Sequence, residues 1–457
     1  MNQNIQLHHQ RPKSFTSLSR SLLILGCLSI FSVNLIMVLL SLALSGFHLP
    51  ELGEAFRSTV TPHIIKFFTF SQTGDSWHPM FKALDYLQSN HQETAYSKLF
   101  FGDNIKFQYP LTSLLPLVVL RKLVPDNAQA LSILNILSWI SIPITIFFTI
   151  KLFNIGLQRQ NHPQTRYLNK GSLLTTSSLI VGLSLSFYPF IKAYGLGQIQ
   201  AILNCLFSIS MWAWATNRTS LAGVLVGSMI LIKPQYIVIA IWGCLRGKWS
   251  FVRSALLICT LGVVSATLIF GIQEQLDYLK VLSFISRHGE IFYPNQSING
   301  LLNRLLFNGD SLQFTNSFPP FHPIVYIGTL VSSTLLLAAA LFYSQRSKYR
   351  SSIIDYAIIA ITCTVASPVA WEHHYGILLP IYIFFLAYIV GQVNFNKGRF
   401  IAMSAAYLIS ASNMRIFNIF TGIPLLNILQ SYLLFSVFVL LACLYSLATD
   451  KQDVSDL

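Results

Sequence analysis

Asp75 stands in the segment Gly74-Asp75-Ser76-Trp77-His78-Pro79, where a carboxylate in an aromatic setting is a candidate general base. Three further polar groups interrupt apolar sequence: Tyr194-Gly195-Leu196-Gly197-Gln198, Lys233-Pro234-Gln235, and Ser367-Pro368-Val369-Ala370-Trp371-Glu372-His373-His374-Tyr375. Another, Asn295-Gln296-Ser297, is followed by Arg304. Sparse polar groups brought to one face of an apolar bundle are what a site at a membrane surface needs. Each group also has a plainer reading. Gly-x-Gly-Gln can simply join two helices, Lys233 can reach for headgroups, and Asp75 or Ser76 can cap the helix starting near Pro79. Asp85 and Asp103 share the loop and the charge of Asp75, and Asp85 is the second candidate base. His373 and His374 are adjacent, so they do not share a helix face as metal-binding i, i+4 histidines do. No metal and no cofactor is expected.

The elements that must position these residues are membrane helices. Of the 457 residues 53% are hydrophobic and only 10% charged, against roughly 25% charged in soluble domains. This excludes a soluble enzyme of ordinary surface, a disordered chain and a disulfide scaffold. The excess of 30 Lys+Arg over 16 Asp+Glu fits cytoplasmic loops better than nucleic acid. The six cysteines all sit in apolar stretches and read as packing residues. Two glycosylation sequons, at Asn217 and Asn295, are weak signals.

Apolar runs at 21–47, 128–150, 173–190, 199–216, 219–232, 235–245, 254–272, 323–343, 353–370, 375–392, 399–414 and 421–447 predict about twelve spans. The chain thus reads as an all-α polytopic membrane protein, a single integral membrane domain over 1–457. Segment 111–123, interrupted by prolines, reads as interfacial or re-entrant, and the pair around Lys233-Pro234 as a shallow hairpin. The N-terminus (1–20) and C-terminus (449–457) fall inside, and two long connections, 48–110 and 273–322, fall outside. On this threading the inner side carries 17 Lys+Arg against 4 acids and the outer side 13 against 12, as the positive-inside rule requires.

In their order, the polar clusters resemble glycosyltransferase family 87. Asp75, Ala83 and Tyr96 followed by Phe107-Gln108-Tyr109-Pro110 look like that family's first loop. Gly197-Gln198, Gly223, Gly227 and Lys233-Pro234 are similar to its G-Q … G … K-P series. Asn295-Gln296-Ser297 with Arg304, and Ser367-Pro368 with Trp371, His373 and His374, resemble its N-Q-S … R and S-P-x-x-W-x-H-H elements. The resemblance runs over about residues 70–380.

It implies a bundle of the GT-C type and a mannosyltransferase using a polyprenyl-phosphate-linked sugar donor at the outer face. A glycolipid or glycan is the implied acceptor, with membrane lipids as the surroundings and no nucleic acid partner. The implied location is the bacterial plasma membrane, multi-pass. The absence of a nucleotide-binding glycine fingerprint suits a donor without a nucleotide. On this reading Asp75 takes the proton of the attacking hydroxyl and the configuration inverts. Arg304, Lys233 and His373 or His374 meet the leaving phosphate. Tyr109, Trp371 and Trp77 stack on the sugar, and Asn295, Gln296 and Gln198 bind polar groups of the substrate. A transporter or lipid flippase is the competing class, but would place charges near mid-membrane and often show repeats. A polysaccharide polymerase or ligase would share the outer-face site.

Overall fold

The structure, a computed structural model, describes residues 59–89, 92–158, 170–343, 350–392, 396–423 and 425–449, with residue 26 and a few positions between 34 and 39. Most of the first apolar run, the basic segments around 160 and 348, and both termini lie outside the described residues. The segment read as the first outer loop holds the short helices α1 (Thr61–Phe68) and α2 (Trp77–Leu87) and a π-helical stretch at Tyr96–Gly102. After a tight turn at Leu111–Leu114 comes α3 (Leu115–Leu123). There follow α4 (Asn127–Gln158), α5 (Lys170–Leu185), α6 (Tyr188–Gly195), α7 (Gln200–Ala215), α8 (Thr219–Ile230), α9 (Ile237–Leu245) and α10 (Trp249–Phe270). The second outer segment is also helical, with α11 (Ile272–His288) and α12 (Ile298–Leu305). The remaining helices are α13 (Pro323–Phe342), α14 (Ile353–Val365), α15 (Leu378–Gly391), α16 (Lys397–Ala411) and α17 (Tyr432–Thr449). The described residues contain no named β-strand, only the isolated bridge between Asn295 and Trp371.

Among the described residues five stretches are long and apolar enough to cross a bilayer: Asn127–Gln158, Trp249–Phe270, Pro323–Phe342, Glu372–Gly391 and Leu426–Thr449. The α5–α6 pair makes a sixth if its 63° bend interrupts one span. The twelve expected from hydropathy include the run 21–47, most of which lies outside the described residues. Several apolar runs form helices too short to span alone, including Thr219–Ile230, Pro234–Leu245 and Ile353–Val365. Proline explains two of the breaks. Pro189 opens α6 just after the bend, and Pro234 separates α8 from α9. α3 has only nine residues and ends in Arg121 and Lys122, well short of the roughly 20 needed to span.

Two apolar cores organise the molecule. The larger lies within the helical bundle and includes Phe207, Trp214, Tyr356, Phe384 and Leu440. Within it, glycines let backbones meet. A Cβ on Gly223 would lie 2.2 Å from the carbonyl oxygen of Phe251, and one on Gly227 2.8 Å from that of Ala255. The two glycines are one turn apart on α8 and seat it against α10 by the small-xxx-small device of membrane helices. They therefore pack helices and touch no polar group of the candidate site.

The second core joins the two segments read as outer loops into one body. Trp77, Met80, Tyr96, Phe107 and Leu114 from the first pack with Tyr278, Val281 and Ile285 from the second. Polar pins surround it. Lys106 pairs with Glu290 at 2.6 Å, Glu274 accepts from the amide of Ala95 at 2.9 Å, and Tyr278 donates to the carbonyl of Gln108 at 3.2 Å. Asp277 accepts from Thr94 and Ser97. The segments that hydropathy reads as loops are thus a folded cap.

Membrane sidedness has a direct check in a background lacking native cysteines. Asn316→Cys, on the exposed outer cap, is expected to react with an impermeant thiol reagent added outside. Ser250→Cys, exposed at the start of α10 beside Lys248, is expected to react only after permeabilisation. Labelling of residue 250 from outside would overturn the inside–outside assignment.

Candidate active site

Asp75 is held by backbone. Its amide donates to the carbonyl of Leu196 at 2.9 Å, and the amide of Ser76 donates to that of Gly197 at 3.2 Å. Gly74 and Gly197 have φ of 73° and 64°, left-handed values that favour glycine. A Cβ on Gly197 would lie 2.4 Å from the nitrogen of Gly74. The Gly-x-Gly-Gln turn therefore does more than connect α6 to α7: it carries the loop with the carboxylate. Gly197→Ala is expected to lower the melting temperature and, by displacing Asp75, to lower activity beyond that. A variant with a lowered melting temperature but full activity would show that the loop can move without moving the carboxylate.

Side chains complete the bank. Gln198 donates its amide to the Asp75 carboxylate. Ser76 donates to Gln198 Oε1 at 2.6 Å and shares a 2.8 Å hydrogen bond with the Tyr109 hydroxyl. Tyr96 donates to the carbonyl of Tyr109 at 2.6 Å, so the stacked Tyr96 and Phe107 of the cap fix Tyr109 in place. The Asp75 side chain stays exposed on one side, yet loss of water on the other pushes it above the usual carboxylate range. The Gln198 hydrogen bond and the charges of Lys192 and His78 oppose that rise. A carboxylate that is accessible, fixed and made more basic is suited to accept a proton.

A second bank gathers Lys233 and two histidines. Lys233, 7% exposed, donates to Gln200 at 2.8 Å, and Gln200 donates to Asn204 at 2.9 Å. His373 and His374 are both buried, with ring centroids 4.8 Å apart. Lys233 acts electrostatically on both, and Lys192 on His373. Nε2 of His373 and Nδ1 of His374 are buried without a hydrogen-bond partner among the described residues. Buried polar atoms are ordinarily paired, so two orphaned ring nitrogens near a buried ammonium mark a place for an anion or a hydroxyl. The banks are joined through the chain, since Gln198 serves Asp75 and Gln200, two residues on, serves Lys233.

The remaining sequence candidates are built into the frame. Asn295 donates to the carbonyls of Glu290 and Pro368 and accepts from the amide of Ala370. Gln296 donates to the carbonyls of Tyr293 and Gln430, and its oxygen accepts from the amides of Leu433 and Leu434 at the start of α17. Arg304, 1% exposed, donates to the carbonyl of Asn295 at 2.9 Å and to Ser431 at 2.6 Å. Burial pulls its guanidinium down to about 9, which leaves it cationic at neutral pH. These three side chains stitch the cap to the Ser-Pro-x-x-Trp element and to α17, while the buried Nε of Arg304 has no hydrogen-bond partner among the described residues. Trp371 is half-buried against Phe292 and Phe314, while Trp77 is enclosed in the cap core. Trp77 therefore offers no face to a sugar, and Tyr109 and Trp371 are the aromatic candidates that remain at least partly open. Among the described residues no group of three or more His, Cys, Asp or Glu has the arrangement of a metal site.

Sequence reasoning passed over Lys192 and underused Glu372. Glu372, 0% exposed, receives Lys192 at 2.5 Å and the hydroxyls of Tyr188 at 3.4 Å and Tyr432 at 3.0 Å. The available signal was a lysine one helical turn before the Gly-x-Gly-Gln turn.

The sequence model of glycosyltransferase family 87 matches residues 107–368, more than half of the chain. The chain belongs to glycosyltransferase family 87. Asp75 precedes the matched stretch, which contains Tyr109, Gln198, Lys233, Asn295, Gln296 and Arg304. Trp371, His373 and His374 follow its end. The chain is also similar to a polyprenol-phosphate-mannose-dependent alpha-(1-2)-phosphatidylinositol pentamannoside mannosyltransferase of Mycolicibacterium smegmatis. The two are 26% identical over 201 residues, 43% of this chain and 45% of the relative. The matched region thus spans less than half the length of that protein. No solved structure matches the chain significantly. This family 87 chain also has helices long and apolar enough to cross a membrane.

Proposed function

We propose that this glycosyltransferase moves a mannosyl residue from a polyprenyl-phosphate sugar to an acceptor hydroxyl at the outer membrane face, in a GT-C type bundle of about twelve helices. The acceptor is a glycolipid or a glycan, and the whole chain is one integral domain with both termini inside. The observation that carries the reading is an accessible, more basic Asp75 on one bank and the orphaned nitrogens of His373 and His374 beside Lys233 on the other.

In this mechanism the acceptor oxygen attacks the anomeric carbon and its proton passes to Asp75. The bond from the anomeric carbon to the phosphate oxygen breaks, and polyprenyl phosphate leaves with both bonding electrons. Attack opposite the leaving group inverts the configuration. Lys233 and the two histidines oppose the negative charge that grows on the phosphate, where preorganised donors act most strongly. Tyr109 and Trp371 flank the sugar, and Gln198 aligns the base. Asn295, Gln296 and Arg304 serve by holding the cap in register.

Purified protein in lipid nanodiscs, incubated with a panel of polyprenyl-phosphate sugars and a glycolipid acceptor, tests this. Mass analysis should find polyprenyl phosphate released from the mannosyl donor in step with mannosylated acceptor. Release from a different donor would change the sugar. Turnover confined to preassembled lipid-linked oligosaccharides would point to a polymerase or ligase.

A further inference from the structure

Lys192 sits where three parts of the site meet. It lies on α6, which leads into the turn carrying the Asp75 loop, and it pairs at 2.5 Å with the fully buried Glu372. Glu372 immediately precedes the two histidines and is held from α17 by the Tyr432 hydroxyl at 3.0 Å. Lys192 also donates to its own neighbour Tyr188 at 2.9 Å. His373 follows Glu372 and feels the charge of Lys192, and Arg415 acts on Tyr188 and Tyr293. α1 supplies His63, which packs edge-on to Tyr188, and Lys66, whose ammonium donates to the carbonyl of Gly195 at 3.0 Å. The outer cap supplies Tyr293, and the facing loop supplies Asp75, with His78 and Gln198 as that carboxylate's other polar neighbours.

The proposed reaction places two anions on either side of one sugar ring, the base and the departing phosphate. Like charges so close disfavour one another, by several kcal/mol when poorly solvated. A cation between them relieves this, provided it is itself held. We propose that the Lys192–Glu372 pair is a positioning and electrostatic device for the reaction, with Glu372 fixing the ammonium so that its charge keeps Asp75 ionised beside the leaving phosphate. Neither residue is assigned contact with substrate. The proposal rests on Asp75 being the base.

The test reads the local potential without needing a donor. Asp75→Cys is made in an otherwise cysteine-free full-length protein in nanodiscs, and its alkylation by iodoacetamide is followed against pH. Adding Lys192→Met is expected to raise the midpoint by about one pH unit, and Lys192→Arg to restore most of it. Glu372→Gln, which releases the ammonium from the carboxylate that holds it, is expected to raise the midpoint part of the way, and a lowered midpoint in this variant would overturn the positioning role. With Asp75 in place, the acid limb of kcat/KM for polyprenyl-phosphate mannose should move the same way in each variant. An unmoved alkylation midpoint in Lys192→Met overturns the proposal. If that variant does not fold, an unmoved midpoint in Glu372→Gln does so. Wild-type protein that transfers no mannose while the midpoints move would overturn the functional reading and leave the electrostatic one standing.

Discussion

Asp75→Asn is expected to lower sugar transfer by about 10²-fold or more, with folding, membrane insertion and donor binding retained. Asn has nearly the same shape, and its carbonyl can still accept from Gln198, so the loop against Leu196 and Gly197 should hold. What it loses is the ability to take a proton. The helix-cap alternative makes a different forecast, a stability loss of about 1 kcal/mol with turnover intact. The structure speaks against capping, since the N-terminus of α2 at Ser76 has no side-chain cap hydrogen bond. Asp85 and Asp103 are the controls. Asp85 pairs with Arg121 and Asp103 with Lys98, and neither carboxylate is linked to Gln198 or Lys233. Their Asn variants should transfer within a few-fold of wild type. Because desolvation raises Asp75, the wild-type rate should fall on acidification through a pH above the ordinary carboxylate range, as the base takes up its proton. Stability runs the opposite way. A carboxyl with a raised folded-state pKa favours the folded state as pH falls, so Asp75→Asn should not destabilise the protein near neutrality. Transfer within a few-fold of wild type in Asp75→Asn would move the base elsewhere, with Asp85 next in line.

Particular residues show what could be read without coordinates. The Gly-x-Gly-Gln, Lys-Pro and His-His groups interrupt apolar sequence, and an interruption in a span is costly enough to be informative alone. Which groups meet is a different matter. Asp75 and Gln198 are 123 residues apart, Lys192 and Glu372 180, and no periodicity links such pairs. Burial was also hidden. Arg304 and Gln296 have the side chains expected of a substrate site, and so does a buried brace; only their partners tell the two apart. Hydropathy counted apolar runs, but the proline breaks shorten several of the helices those runs form, and the cap segments fold because their aromatics pack on one another.

The other large effect is expected at the bank of Lys233, His373 and His374. His373→Leu and His374→Leu should each lower turnover by about 10²-fold, and Lys233→Met by at least as much, since each removes a group aimed at charge that develops on the leaving phosphate. The orphaned nitrogens allow a sharper version. The amide nitrogen of Gln reaches near Nε2 and that of Asn near Nδ1, so His373→Gln and His374→Asn keep a donor where each histidine has its free atom. These variants should retain turnover to within about tenfold of wild type, while the Leu variants do not. Arg304→Ala is the structural contrast. It strips donors from the carbonyl of Asn295 and from Ser431 deep in the cap, and should cost about 3 kcal/mol of stability. Turnover per folded molecule should then fall far less than in the histidine variants. Melting temperature and single-turnover rate, measured together with polyprenyl-phosphate mannose, separate the classes. A histidine series in which Leu and the amides behave alike would remove the histidines from phosphate binding. An Arg304→Ala protein that melts normally but fails to turn over would put the guanidinium in that role instead.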